Sequence, residues 1–140
     1  MIDAKTGQLL IDKERFITTQ TSLATIEKWK LGTSQEIRQM GNTWRSVEVK
    51  NLKIDALYLN ISFLFKDKKI AGFTFVFQEK PYEMHPSWDS WSKGKEQVNL
   101  VRFKNWLEEQ FGELRSFEWG SVEAVYDPKS AGSSIKVHYI

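Results

Sequence analysis

The chain has no cysteine, and only two histidines, three prolines and eight glycines in 140 residues. Without thiols there are no disulfides, no thiolate metal ligands and no cysteine nucleophile, so stability must come from packing, and a reducing compartment suits the chain. His85 and His138 lie far apart with no HxxxH or HxE spacing. A zinc site would have to gather carboxylates from unrelated places, so neither a metal nor another cofactor is expected. No G-x-S-x-G elbow is present and no motif sets a histidine beside a serine, so no catalytic residue is assigned. The acidic pairs Glu108-Glu109 and Glu113 with Glu118 read as solvated surface. Charge of one sign is scarce as well. Twenty Lys and Arg against 18 Asp and Glu leave +2 with no long single-sign run, a field too weak to call for nucleic acid. The segment Met1 to Gly7 lacks an apolar signal core, and the apolar runs are strand-length and interrupted. We therefore expect a soluble, cytoplasmic protein with no membrane segment, folded as one domain over residues 1–140.

What the chain does have is aromatic surface, with nine Phe, six Trp and four Tyr. Large rings suit either a dense core or an interface. The strongest pattern joins two apolar runs, Leu57 to Phe65 and Ile70 to Phe77, through Lys66-Asp67-Lys68-Lys69. Leu57, Leu59, Ile61, Phe63 and Phe65 alternate with Tyr58, Asn60 and Ser62, and Phe73, Phe75 and Phe77 repeat the period of two. This is the pattern of a half-buried β-hairpin around which the core should form.

The remaining segments fall into place around it. Gln8 to Ile11 and Arg15 to Ile17 flank the polar Asp12-Lys13-Glu14, which suits a small opening hairpin. Thr18, Thr19 and Thr21 offer N-cap hydroxyls to a helix carrying Leu23 and Ile26 and closing near Gly32. From Thr33 to Asn42 the chain is polar and unpatterned and reads as a loop, and Trp44 to Lys50 reads as a strand. Two prolines make Glu79 to Pro86 a connecting loop. From Lys93 to Phe111, Leu100, Phe103, Leu107 and Phe111 recur at helical spacing, with Gly112 as the stop. Ser116 to Tyr126, with a bulge at Gly120, and Ile135 to Tyr139 supply the last strands around an Asp-Pro, Gly-Ser loop. The order is ββ-α-βββ-α-ββ: an α+β fold with a mostly antiparallel sheet of about six or seven strands and two helices on one face. Trp44-Arg45-Ser46-Val47-Glu48 and Trp119-Gly120-Ser121-Val122-Glu123 echo each other, and coincidence accounts for so short a match.

Two loops are the candidate sites. Trp88 and Trp91, with His85 and Tyr82, occupy a proline-bounded stretch where a pair of indoles could hold a partner or staple the loop to the sheet. Lys129, Ser130 and Gly132 could turn backbone N–H groups toward an anion, although the order is not that of a P-loop and a strand comes next instead of a helix.

Several stretches, Thr6 to Ile11, Phe63 to Ile70, Trp88-Asp89-Ser90-Trp91-Ser92, Trp106-Leu107 and Trp119 to Ile135, resemble a group of small bacterial single-domain proteins without an assigned activity. Some compact bacterial proteins of that build are immunity proteins that silence a toxin. The resemblance thus implies a protein partner such as a toxin, and it carries no catalytic motif from which a residue could take a role. The expected function is a non-enzymatic protein-binding module. The alternative is a small-molecule or glycan binder, or a weak hydrolase, with a pocket between the C-terminal helix and the sheet.

Overall fold

The computed structural model describes residues 1–83, 93–128 and 132–140. Among them the elements run β1 (Leu9–Leu10), β2 (Phe16–Ile17), α1 (Leu23–Trp29), β3 (Ser34–Gln39), β4 (Trp44–Ile54), β5 (Leu57–Lys66), β6 (Lys69–Gln78), α2 (Lys93–Phe111), β7 (Ser116–Phe117), β8 (Gly120–Asp127) and β9 (Gly132–Tyr139). The strands β1 and β2 form a small hairpin of their own, and the other seven make one antiparallel sheet in the order β3-β4-β5-β6-β9-β8-β7. The sheet is therefore two meanders, each entered from a helix and joined where β6 meets β9.

The β5–β6 hairpin forms as the alternation requires. Leu59, Ile61, Phe63, Phe65, Phe73, Phe75 and Phe77 are all buried. Asp67 and Lys68 both adopt positive φ, 56° and 91°, the mirror-image turn whose twist matches a two-residue hairpin. Two bulges shift the apolar phase. In β6 the pairing steps from Leu64↔Gly72 to Phe65↔Ile70, leaving Ala71 over and bringing Ile70 to the same face as Phe73. In β4 it steps from Val49↔Ile61 to Leu52↔Leu59, so Val47 and Val49 are succeeded by Leu52 and Ile54 on the buried side.

Other contacts close this core. α2 lays Phe103 on Phe77 at 5.0 Å between ring centroids and Trp106 edge-on against Phe75 at 5.8 Å. The end of α1 comes against β4, where a Cβ on Gly32 would press on a Val49 methyl. The N-terminal segment is tied to the far end of the sheet: Trp119 Nε1 donates to Ala4 O at 2.9 Å and Tyr139 Oη to Gly7 O at 2.7 Å. The buried residues form one continuous cluster.

Four expectations need correction. Residues 33–42 are not a loop, because they contain β3, an edge strand that buries none of its side chains fully and so has no apolar alternation to reveal it. β4 runs on to Ile54, past the bulge that breaks its pattern. The cap of α1 is Ser22, whose Oγ accepts from Thr25 N, and the left-handed position at its end is Lys30, with φ 49°. The stretch from Ser116 is β7, a tight turn at Glu118-Trp119 and β8, with Phe117 paired to Gly120, instead of one bulged strand. The order is thus ββ-α-ββββ-α-βββ. The helix over Lys93–Phe111 stands as expected.

Gly72 and Gly120 flank β9 from its two sides, and a Cβ on either would strike β9 backbone, at Val137 O and His138 O respectively. Both have φ 153°, where a side chain is strained. Gly72→Ala should cost about 1–3 kcal/mol in urea unfolding. A stability equal to the parent's would show that the strands do not approach so closely.

Candidate binding surface

Past the end of β6, the stretch up to Tyr82 and, further along the chain, the first turn of α2 are each fastened to the sheet. At the β4 bulge Asn51 adopts φ 52°, a conformation asparagine tolerates better than most residues. Its side chain then acts as a short piece of strand: Asn51 Nδ2 donates to Tyr82 O at 2.9 Å and Tyr82 N donates to Asn51 Oδ1 at 2.7 Å. Asn60, opposite the bulge, accepts Asn51 N at 3.0 Å, so the buried amide is itself held. Gln78 Nε2 donates to Pro81 O at 3.2 Å on the same stretch. Further along, Glu96, in the first turn of α2, accepts Ser133 N at 2.8 Å, while Ser133 Oγ donates to Glu96 O at 2.9 Å. α2 is thereby bolted to the start of β9.

Between these fastenings Tyr82 is half-buried. Burial pushes its phenol well above the ordinary tyrosine range, and nearby Arg102 pulls it down less strongly while Glu96 adds to the rise. Arg102 in turn lies over the Phe77 ring, 4.8 Å from its centroid. Beyond it Val98 and Val101 are 67% and 58% exposed. Together with Phe77 and the half-buried Trp106 they line an open groove of about 390 Å³ along α2. Val98, Val101, Arg102 and Asn105 keep the spacing of one helix stripe, so the groove has an apolar floor edged by polar groups.

Of the residues singled out from the sequence, Tyr82 serves as an anchor, held through its backbone and packed toward α2. His85, Trp88, Trp91, Lys129 and Ser130 lie outside the described residues. Gly132 opens β9 opposite Asp127, an acidic neighbour ill suited to an anion site. His138 is exposed on β9 between buried Val137 and Tyr139. With Thr74, Ser121, Glu123 and Lys136 it lines a concavity of about 420 Å³ on the polar side of the sheet. Among the described residues no three His, Asp or Glu side chains are grouped to hold a metal, and no helix is long and apolar enough to cross a membrane.

No protein-family model, curated protein or solved structure matches this chain. The assignment of a site therefore rests on its geometry. Asn51, Glu96, Val98 and Val101 went unnoticed in the sequence. Only the break in the β4 alternation at Lys50-Asn51 and the two valines outside the α2 stripe could have marked them.

Asn51→Gly keeps the left-handed backbone while deleting the clamp. It should lower stability by about 1–3 kcal/mol and speed amide exchange at Tyr82. Unchanged exchange there would mean the clamp does not hold the segment. Because burial raises the Tyr82 phenol, the folded chain favours its neutral form; that contribution is whole below the ordinary tyrosine range and is lost as pH climbs above it towards the raised folded value. Tyr82→Phe should move the alkaline unfolding midpoint to higher pH, monitored by circular dichroism. A midpoint that stays put would deny Tyr82 that part.

Proposed function

We infer that the chain is a non-enzymatic protein-binding module that presents the α2 groove and the adjoining 84–92 segment to a partner. The observation that carries this reading is the groove itself, where Val98 and Val101 stay in water beside Phe77, Trp106 and Arg102. Aromatic and arginine groups are enriched in interface cores, and here they stand beside apolar side chains left in water. In this reading both helices cover one face of the sheet. The Asn51–Tyr82 and Glu96–Ser133 bonds fix Tyr82 and the first turn of α2 beside the groove, so those residues lose less conformational freedom on binding. An immunity-like role, with a toxin as partner, fits a rigid inhibitor of this kind.

A second reading has one observation in its favour. Between α2 and β8 runs a groove of about 540 Å³ lined by Lys104, Leu107, Glu108, Arg115, Ser121 and Glu123. Its charges of both signs suit a small polar ligand or a glycan. A panel of such compounds that raises the melting temperature of the parent and not of K104A/R115A would favour this reading over the first.

For the protein-binding reading, a partner is captured from cell extract with the parent chain, identified, and titrated by calorimetry. V98D/V101D and W88A/W91A should each weaken its binding by about 2 kcal/mol or more, roughly 30-fold, with the melting temperature preserved. Binding that survives both pairs of substitutions would end the assignment of this surface.

A further inference from the structure

β3 ends the seven-stranded sheet, and among the described residues no strand lies on its outer side. Its pairing with β4 determines which backbone groups that side shows. Met40 N donates to Trp44 O at 2.9 Å, and the register runs back through Arg38↔Ser46, Glu36↔Glu48 and Ser34↔Lys50. Antiparallel ladders alternate, so these residues direct N–H and C=O at β4, while Gln35, Ile37 and Gln39 direct theirs outward. Such an edge is a template for another strand, and proteins ordinarily guard it with charged side chains, lysine above all, with proline or with a bulge; Glu36 and Arg38 are the only charges on β3, one of each sign, and the strand has no lysine, proline or bulge. Its register is unbroken, and all of it but Gln35 is exposed.

We propose that this edge pairs antiparallel with the same edge of a second copy of the chain, about a two-fold axis at Ile37. In that register Ile37 exchanges both backbone hydrogen bonds with the partner's Ile37, and Gln35 does so with the partner's Gln39. Glu36 stands directly across from the partner's Arg38, and Arg38 from the partner's Glu36. The neighbouring symmetric registers, slid by two residues, set Glu36 against the partner's Glu36 or Arg38 against the partner's Arg38, and like charges directly opposite are disfavoured. The strand is thus self-complementary in charge in one register only. Within its own chain Glu36 lies across from another acid, Glu48, and reaches Arg38 only at 3.9 Å, so a guanidinium arriving from outside relieves an existing repulsion. Ile37, 40% exposed beside buried Val47, gains an apolar neighbour at the axis. A groove of about 610 Å³ lined by Glu27, Lys30 and Ser34 to Ile37 runs beside the strand, where Gln35 Nε2 donates to Ile26 O at 3.1 Å.

The test is sedimentation equilibrium of the full chain over a wide range of concentration, with amide exchange at high and low concentration. The expected result is a species of twice 16.4 kDa, with protection of the Gln35, Ile37 and Gln39 amides that grows with concentration. E36R and R38E should each weaken the dimer roughly tenfold or more, and E36R/R38E should restore it, because the swap returns opposite charges to facing positions. Ile37→Pro removes only an outward N–H, so it should abolish the dimer while circular dichroism stays that of the parent. A parent that remains monomeric throughout, a dimer indifferent to E36R and R38E, or a folded double swap that fails to restore association would each overturn the proposal. If a charge variant fails to fold, amide exchange of the parent alone decides: concentration-independent exchange at Ile37 overturns it.

Discussion

The seam between β6 and β9 is the constraint on which the architecture rests. Four residue pairs, from Gly72↔His138 to Phe75↔Ile135, join one meander to the other. The seam can be this tight because Gly72 presents no side chain to β9 and Gly120 presents none from the opposite side. Once β9 is seated, Phe73 meets Tyr139 at 6.0 Å and Tyr139 meets Trp119 at 6.0 Å, so the aromatic layer runs unbroken from the central hairpin to the far edge. Other attachments depend on the position of β9. α2 is fastened to it through Ser133, and the N-terminal segment through Tyr139. A short run of backbone pairing thus organises contacts distant in sequence.

The parts of the fold legible in the sequence were those in which one face is dry and the other wet. Leu59 to Phe65 and Phe73 to Phe77 could be read because burial imposes a period of two, and Phe103, Leu107 and Phe111 because it imposes a helical one. β3 was invisible for the opposite reason. An edge strand with water around nearly every side chain is under no pressure to alternate, and its polar residues look like a loop. The bulges hid the second half of β4 in a similar way, since residues left out of the ladder at Lys50-Asn51 disrupt the alternation on which the reading of a strand depends. The echo between Trp44 to Glu48 and Trp119 to Glu123 falls at the openings of β4 and β8, the second strand of each meander. The two indoles differ in setting all the same, Trp119 being buried against Phe117 and Trp44 half-exposed under Lys66.

The candidate surface was less legible than the fold, and the reason is physical. Asn51 acts through a bulge and Glu96 through a bond to a residue 37 positions away, relations that no local pattern encodes. The indole pair drew notice because tryptophan is rare and large, whereas Val98 and Val101 mean something only once α2 is seen to turn them away from the sheet. What the fold adds to the sequence is therefore the support: polar bonds that hold Tyr82 to β4 and the first turn of α2 to β9, and a helix that keeps apolar groups in water.

The topology also imposes an order of events on a growing chain. β5 and β6 are consecutive in the middle of the chain and can close as a local hairpin as soon as they leave the ribosome. The strand that completes the sheet beside β6, β9, follows only after α2, β7 and β8. Through the synthesis of α2, β7 and β8, the phenylalanines of the nascent hairpin thus lack their final neighbour, and an unpaired, ring-laden strand edge of that kind invites aggregation and chaperone capture. Emergence of β9, and not of the central hairpin, is the moment at which that exposed edge acquires its neighbour.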